Sequence, residues 1–132
     1  MKARYRVRAV VNWVTLSTPL GLVVAGLGRA VITREPDGLY LAEHSRLMLP
    51  DAGAFTVGNV IITGGRLRDL PGTDVLAHEA AHASQWALLG PAFLPVYLAM
   101  TVWSLQRTGD RAAGNYLERW AGLSRGGYTD VS

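Results

Sequence analysis

The segment from Val75 to Trp86, "VLAHEAAHASQW", holds two of the three histidines in the chain. His78 and His82 are four residues apart, and on an α-helix that spacing places both side chains on one face. Neutral imidazoles are good zinc ligands, so the two rings could bind one ion. Because the chain has no cysteine, any such site must be built from His, Asp or Glu.

Glu79 follows the first histidine and completes the HExxH pattern "HEAAH". Its carboxylate is expected on a neighbouring part of the same helix face. There it could take a proton from a metal-activated water and deliver that proton to a leaving amine. The alternative is a helix whose histidines hydrogen-bond within the core, but that arrangement buries Glu79 beside them without a role.

A catalytic zinc generally takes a third protein ligand, for which the sequence offers three candidates. His44 follows a predicted strand and is more typical of a turn. Asp74 is expected in the first turn of the HExxH helix, where it complements the helix dipole. Glu118 lies mid-way along a later predicted helix whose small neighbours allow a close approach to the histidines, with Asn115 one turn earlier for a supporting hydrogen bond. Its alternative is a solvated acid paired with a nearby arginine.

Two segments, "LAHEAAHASQW" and "NYLERWAG", resemble the zinc-binding motifs of the gluzincin metallopeptidases. In that group HExxH supplies two zinc ligands and the general base, and a glutamate on a second helix supplies the third ligand. The resemblance implies that His78, His82 and Glu118 bind Zn2+ and that Glu79 is catalytic. The same region is similar to small bacterial proteins with the form HExxHxxQ, an apolar "LGP…LP" linker and NxxExxA. Gly122 departs from the larger gluzincins, which often have an acidic residue there.

Two more side chains and one strand could take part in the site. Tyr128 could donate its hydroxyl to an oxyanion, although a packing role is equally open. Gln85, three residues after His82, could order the helix or contact substrate. The segment Ala54–Thr63, "AFTVGNVIIT", is a candidate edge for pairing with an extended peptide, or plain sheet core.

The elements that must position these residues predict an α+β fold, as one minimal zincin-like domain over residues 1–132. An apolar N-terminal helical segment covers 1–33, a small antiparallel β-sheet covers 37–70, and the zinc-binding helices cover 73–126. The first helix is predicted over Arg6–Ser17, with a break at Pro19. Strands are predicted over Asp37–Glu43 and Ala54–Thr63, with a third short strand in "RLMLP" as an option. The HExxH helix runs from an N-cap at Thr73 to Gly90, an apolar segment interrupted by Pro95 follows, and Asp110 caps the last helix.

The composition, 49% hydrophobic and 17% charged, excludes broad disorder. The net charge of +3 is concentrated in "MKARYRVR", without the basic stripe that nucleic-acid binding needs, so no nucleic-acid partner is predicted. Such a cluster beside an apolar stretch suits an anionic membrane surface better. Ala9–Leu27 carries no charge and resembles a signal peptide, a membrane anchor or a core helix.

Trp86–Leu105 is also uncharged and long enough to span a membrane. A spanning helix would place the histidines and Glu118 on opposite sides, so we predict that the segment folds back as a hydrophobic hairpin. The predicted function is a zinc metallopeptidase-like hydrolase acting on a peptide or protein, cytoplasmic or membrane-associated. The alternatives are a zinc-stabilised, catalytically silent module at a membrane, and a membrane-anchored helical protein without metal.

Overall fold

The computed structural model describes residues 1–49, 53–123 and 125–127. These residues form α-helices and a four-stranded sheet, which confirms the α+β class. The helices are α1 (Ala3–Val14), α2 (Ser17–Leu27), α3 (Val75–Leu89), α4 (Phe93–Thr108) and α5 (Tyr116–Ala121). The strands are β1 (Val31–Arg34), β2 (Tyr40–Glu43), β3 (Ala54–Val57) and β4 (Val60–Thr63).

The sheet has the strand order β1-β2-β4-β3 and is mixed, so the prediction of a purely antiparallel sheet is wrong. β1 pairs with β2 and β3 with β4 in antiparallel register, whereas β2 and β4 run parallel. The β3–β4 hairpin inserts β4 between β2 and β3, which forces β4 to run in the direction of β2. All four residues of β4 are buried, and such an uninterrupted apolar strand favours a central position.

The segment predicted as one strand over Ala54–Thr63 is this hairpin, which turns at Gly58 with a positive φ of 62°. The predicted helical segment 1–33 was too long, because β1 begins at Val31. Every residue of β1 is exposed, so the alternation of buried and exposed positions that marks a strand is absent there. Residues 46–49 of the "RLMLP" segment form no strand.

Helix α3 carries the HExxH motif and begins directly after Asp74, whose carboxylate accepts the backbone N–H of Ala77 at 3.0 Å. Asp74 is therefore the N-cap that was predicted at Thr73. The helix ends as predicted at Gly90, which has a positive φ of 59°. One face of α3 packs on the sheet, where Ala83 meets Ile61 in a buried apolar cluster.

The first two helices meet at a bend of 72°. The break lies at Leu16, whose φ is 65°, and not at Pro19 as predicted. Pro19 lies in the first turn of α2, where the missing N–H costs no hydrogen bond. Helix α1 is fixed to the back of α3 by polar side chains: Asn12 donates to the Ala83 carbonyl at 2.9 Å and Arg8 to the Ala80 carbonyl at 3.3 Å.

After Gly90 the chain turns and α4 runs back past the end of α3. The ring centroids of His82 and Tyr97 are 6.0 Å apart, whereas a continuous helix would separate their backbones by about 22 Å. Pro95 does not interrupt α4, since it lies in the first turn. The turn brings the start of α4 close to the HExxH face.

The last helix is shorter than predicted. Asp110 caps only a turn, accepting the backbone N–H groups of Ala112 at 2.8 Å and Ala113 at 3.0 Å. Helix α5 starts after Asn115, whose side-chain oxygen accepts from the Leu117 N–H at 3.0 Å and the Glu118 N–H at 3.4 Å. Glu118 is therefore held in the first turn of a capped helix that packs against α3.

Candidate metal centre

Three side chains from two helices converge at one buried point. Glu118 Oε1 lies 2.9 Å from His78 Nε2 and 2.6 Å from His82 Nε2, and the two Nε2 atoms are 3.2 Å apart. Glu118 is 2% exposed, so it is not the solvated surface acid that the sequence also allowed. The structure thus brings together His78, His82 and Glu118, which are far apart in sequence.

Each histidine ring is oriented by a hydrogen bond at its other nitrogen. His78 Nδ1 lies 2.7 Å from the Gly122 carbonyl, and His82 Nδ1 lies 2.8 Å from Gln85 Oε1. Gln85 Nε2 donates to the Leu117 carbonyl at 2.8 Å, which leaves its oxygen to face His82. Since carbonyl oxygens only accept, both Nδ1 atoms carry hydrogen and both Nε2 atoms face Glu118. This is the orientation that metal-binding histidines adopt. Gln85 therefore orders a histidine, one of its two predicted roles.

The convergence requires a positive charge. With hydrogen on both Nδ1 atoms, neutral rings would point two lone pairs at a carboxylate oxygen, which is repulsive unless a proton or a metal ion lies among them. Burial alone lowers the pKa of His82, but the hydrogen bond and charge of Glu118 outweigh it and raise that pKa to about 9. For Glu118, burial is outweighed by the hydrogen bonds from His78 and His82, which hold its pKa well below the usual range.

The three atoms lie close enough together to bind one metal ion. Zinc with bonds of about 2.0–2.1 Å in tetrahedral geometry holds its ligand atoms about 3.3 Å apart. The separations of 2.6, 2.9 and 3.2 Å among Glu118 Oε1, His78 Nε2 and His82 Nε2 are shorter than this by about 0.1 to 0.7 Å. Small side-chain rotations would therefore admit an ion, and the donor set of imidazoles and a carboxylate suits a divalent transition metal.

Glu79 lies beside this point. The ligand atoms of His78, Glu79 and His82 all lie within 4.8 Å of one another, so this buried group could hold a metal ion. Burial raises the pKa of the Glu79 carboxyl above its ordinary value, and the two histidines oppose that effect. Thr56 on β3 supports the helix here, donating its hydroxyl to the Glu79 carbonyl at 3.3 Å.

Tyr97 is a site residue that sequence reasoning missed. It comes from the first turns of α4, and its hydroxyl donates to Glu118 Oε2, the carboxylate oxygen that faces away from the histidines. The one signal in the sequence is a hydroxyl-bearing residue within the apolar run "PAFLPVYLAM". Its place beside Glu118 depends on the turn at Gly90, which a helical pattern does not specify.

The other candidates are not part of the convergence. His44 is exposed on a turn with a φ of 59°, as its sequence context predicted. Asp74 caps α3 and does not reach the histidines. Asn115 bonds the backbone of α5 and the Thr101 hydroxyl at 3.2 Å, so it positions Glu118 through the helix. Tyr128 lies outside the described residues.

Two openings reach the site from different sides. The larger, of about 460 Å³, runs between α2 and α4 and is lined mainly by apolar residues, with Glu79, His82 and Glu118 at its inner end. The smaller, of about 170 Å³, is bounded by β3, Pro71 and Gly126 and reaches His78 and Glu79. Glu79 borders both openings, so it is the one side chain of the group that could meet a ligand entering from either side.

Gly126 lies directly over the His78 ring. A Cβ at this position would be 2.7–2.8 Å from three ring atoms of His78, closer than such atoms approach in proteins. Gly126→Ala should therefore displace the ring and weaken zinc binding by about 10–100-fold, the loss typical when a ligand's support is disturbed. Zinc titration with a competing chelator measures this. Gly65→Ala is the matched control, because a Cβ at Gly65 meets nothing within 4 Å. Equal affinities in the two variants would mean that His78 is not a ligand.

Comparison of the chain with known protein families, with curated proteins and with solved structures finds no match.

Proposed function

We propose that the protein is a zinc-dependent peptide hydrolase of gluzincin type. His78, His82 and Glu118 hold the Zn2+ ion, and Glu79 is the general base. The observation that carries the proposal is the convergence of two Nε2 atoms and one carboxylate oxygen within 2.6–3.2 Å, with a second buried carboxylate adjoining them. Three ligands with an adjacent base are the composition of hydrolytic zinc sites.

When bound, zinc would supply the Lewis acidity that polarises a peptide carbonyl and acidifies a water molecule. The chain supplies the proton transfer. The Glu79 carboxylate takes a proton from the attacking water and passes it to the nitrogen of the leaving amine. Burial raises the pKa of Glu79, which makes its carboxylate a stronger base than an exposed glutamate. Tyr97 holds Glu118 Oε2 and leaves Oε1 directed at the histidines.

Access to the site favours catalysis over a purely structural metal. A structural zinc is closed by four protein ligands, whereas a catalytic zinc keeps a position for water or substrate. Here three ligand atoms converge, and the cleft of about 460 Å³ reaches Glu79, His82 and Glu118. Its lining is mainly apolar, which suits a peptide segment with apolar side chains.

The outer strand β3 borders the same cleft and could align a peptide. Val57 and Val60 pair across the two-residue turn, so the backbone groups of Ala54 and Thr56 point away from β4. Trp86 Nε1 already donates to the Thr56 carbonyl at 2.7 Å. A bound peptide would therefore use Ala54 and the N–H of Thr56, a short stretch of strand pairing.

The proposal predicts that the zinc-loaded chain cleaves peptides with apolar residues on both sides of the bond. The assay is a library of internally quenched peptides, with zinc content measured on the same sample. Chelation should abolish cleavage and added zinc should restore it. A chain that holds one zinc ion and cleaves none of these peptides or unfolded proteins would contradict hydrolysis and favour the catalytically silent zinc module.

A further inference from the structure

Three helices, α1, α2 and α4, each expose several large apolar residues, and α1 buries polar ones instead. In α1 the buried residues are Arg8 and Asn12, while Val10 and Val14 are exposed, the latter by 76%. Helices that face water normally bury their large apolar residues and expose the polar ones. Helices that face lipid reverse this, with small and polar residues inward and large apolar residues outward.

Helix α2 repeats this pattern, since its fully buried residues are small or hydroxyl-bearing, whereas α4 packs Phe93, Val96 and Met100 on the core. Both helices also carry large apolar residues that are exposed, and we call the following set the apolar face: Leu20, Val23, Leu27, Leu94, Leu98 and Val102. Leu27 is 73% and Leu98 64% exposed, so none of residues 1–49, 53–123 and 125–127 covers this face.

The two helices start from neighbouring points and flank the same cleft. Gly90, before α4, lies against Thr15, before α2: a Cβ on Gly90 would be 3.9 Å from Thr15 Cγ2. Leu20 of α2 and Leu94 of α4 both line the cleft of about 460 Å³. The apolar face therefore reaches the cleft from both helices, through Leu20 on one side and Leu94 on the other, and contiguous exposed apolar residues mark sites of interaction.

The charges beside the face suit anionic lipid headgroups. Residues 1–34 contain no acidic residue, and the exposed first turn of α1 carries Lys2, Arg4 and Arg6. Arg29 follows the end of α2, and Arg107 ends α4 with its guanidinium 5.4 Å from the Trp103 ring centre. Basic residues and tryptophan at the ends of apolar helices are the arrangement found at membrane interfaces.

Helix lengths favour entry into one leaflet. Helices α1, α2 and α4 have 12, 11 and 16 residues, or about 18, 17 and 24 Å, less than the hydrocarbon core of about 30 Å. By length and composition, Val75–Thr108 taken as one helix, or the bent pair α1–α2, could cross a membrane. However, Val75–Thr108 does not form one straight membrane-spanning helix, because the chain turns at Gly90 and α3 buries polar residues.

We propose that the apolar face of α2 and α4 inserts into the outer part of an anionic lipid bilayer, with α1 lying at the headgroups. The cleft then opens to the hydrocarbon, and the smaller opening beside Pro71 and Gly126 remains on the aqueous side. Apolar segments held in the membrane would reach the site through the cleft. Membrane insertion does not depend on hydrolysis, so its test is independent of the proposed activity.

The test is flotation of the full chain with vesicles of phosphatidylcholine alone and with 30% phosphatidylglycerol. The wild type should bind the anionic vesicles more tightly than the neutral ones. Leu98→Glu and Val23→Glu should each weaken binding by about tenfold or more, because a carboxylate is costly in hydrocarbon. Val31→Glu is the matched control, since Val31 is 59% exposed on β1, in a groove with Glu43 and Arg66.

Circular dichroism and zinc content of each variant establish that it is folded. Quenching of Trp103 fluorescence by lipids brominated along the acyl chain measures the insertion independently, and Trp103→Phe removes that signal. Equal binding by the Leu98→Glu and Val31→Glu variants would overturn the proposal. The proposal would also be overturned if the wild type did not bind vesicles but formed a dimer, and if Leu98→Glu dissociated that dimer. A second copy of the chain would then cover the apolar face.

Discussion

Replacing Glu79 with glutamine should lower the rate of peptide hydrolysis by about 10²–10⁴-fold while zinc content stays unchanged. Glutamine has nearly the same volume and hydrogen-bonds at the same position, but it cannot take a proton from water. Glu79 is 3% exposed and adjoins both histidines, so a change of size here would disturb the metal ligands as well. The measurement is turnover at saturating zinc and substrate, with metal content determined on the same sample.

Glu43→Gln provides the matched control for this loss. Glu43 is a partly buried glutamate that makes a defined contact, accepting the Leu67 N–H at 2.8 Å, but it lies on β2, which β4 separates from the β3 strand at the cleft. Its variant should keep full activity. If Glu79→Gln and wild type cleaved at the same rate, the activity would belong to a contaminating protease or to chemistry that does not use Glu79.

The part of the candidate metal centre that lies on one helix could be predicted from the sequence. The spacing of His78, Glu79 and His82 fixes their common face, and the structure places the three together. Glu118 needed a resemblance to a family, because no local pattern says which acid packs against α3. The role of Tyr97 could not be predicted for a different reason: its hydroxyl contacts Glu118 only because the chain turns at Gly90.

The fold was predictable where the signal is local. The ends of α3 were predicted to within one residue, because a capping side chain and Gly90 mark them, whereas the Gly58 turn that divides Ala54–Thr63 into a hairpin was missed. The parallel pairing of β2 with β4 could not be predicted, since it depends on which strand is buried on both faces of the sheet. Strand β1 was not predicted because all its residues are exposed. For Ala9–Leu27, the uncharged run suggested a signal peptide, a membrane anchor or a core helix, whereas the structure buries the polar residues Arg8 and Asn12 of α1.

Replacing Glu118 with alanine should produce the second large effect, a loss of zinc affinity of more than about 100-fold, since even disturbing a ligand's support costs about 10–100-fold. The zinc-free chain should also lose about 3–5 kcal/mol of stability near pH 6, because removing Glu118 breaks its buried pair with His82, which must then lose its proton or remain charged without a partner. Glu118→Gln is the comparison. It keeps the volume and an acceptor for Tyr97 and the histidines, so it should lose zinc but less stability than alanine.

The pH dependence of the difference in unfolding free energy between wild type and Glu118→Ala distinguishes a contribution from the ion pair from one due to packing alone. The pKa of His82 is raised to about 9, so its contribution to stability is complete below its ordinary pKa of 6.5 and disappears as pH rises through about 9. The pKa of Glu118 is lowered, so its contribution is present above its ordinary 4.5 and is lost as the solution becomes more acidic. Urea unfolding of zinc-free wild type and Glu118→Ala should therefore differ most between about pH 5 and 6.5 and converge above about pH 9. A difference that stayed constant from pH 5 to pH 10 would mean that Glu118 stabilises the chain by packing alone, and that no proton is held between it and His82 for a metal ion to displace.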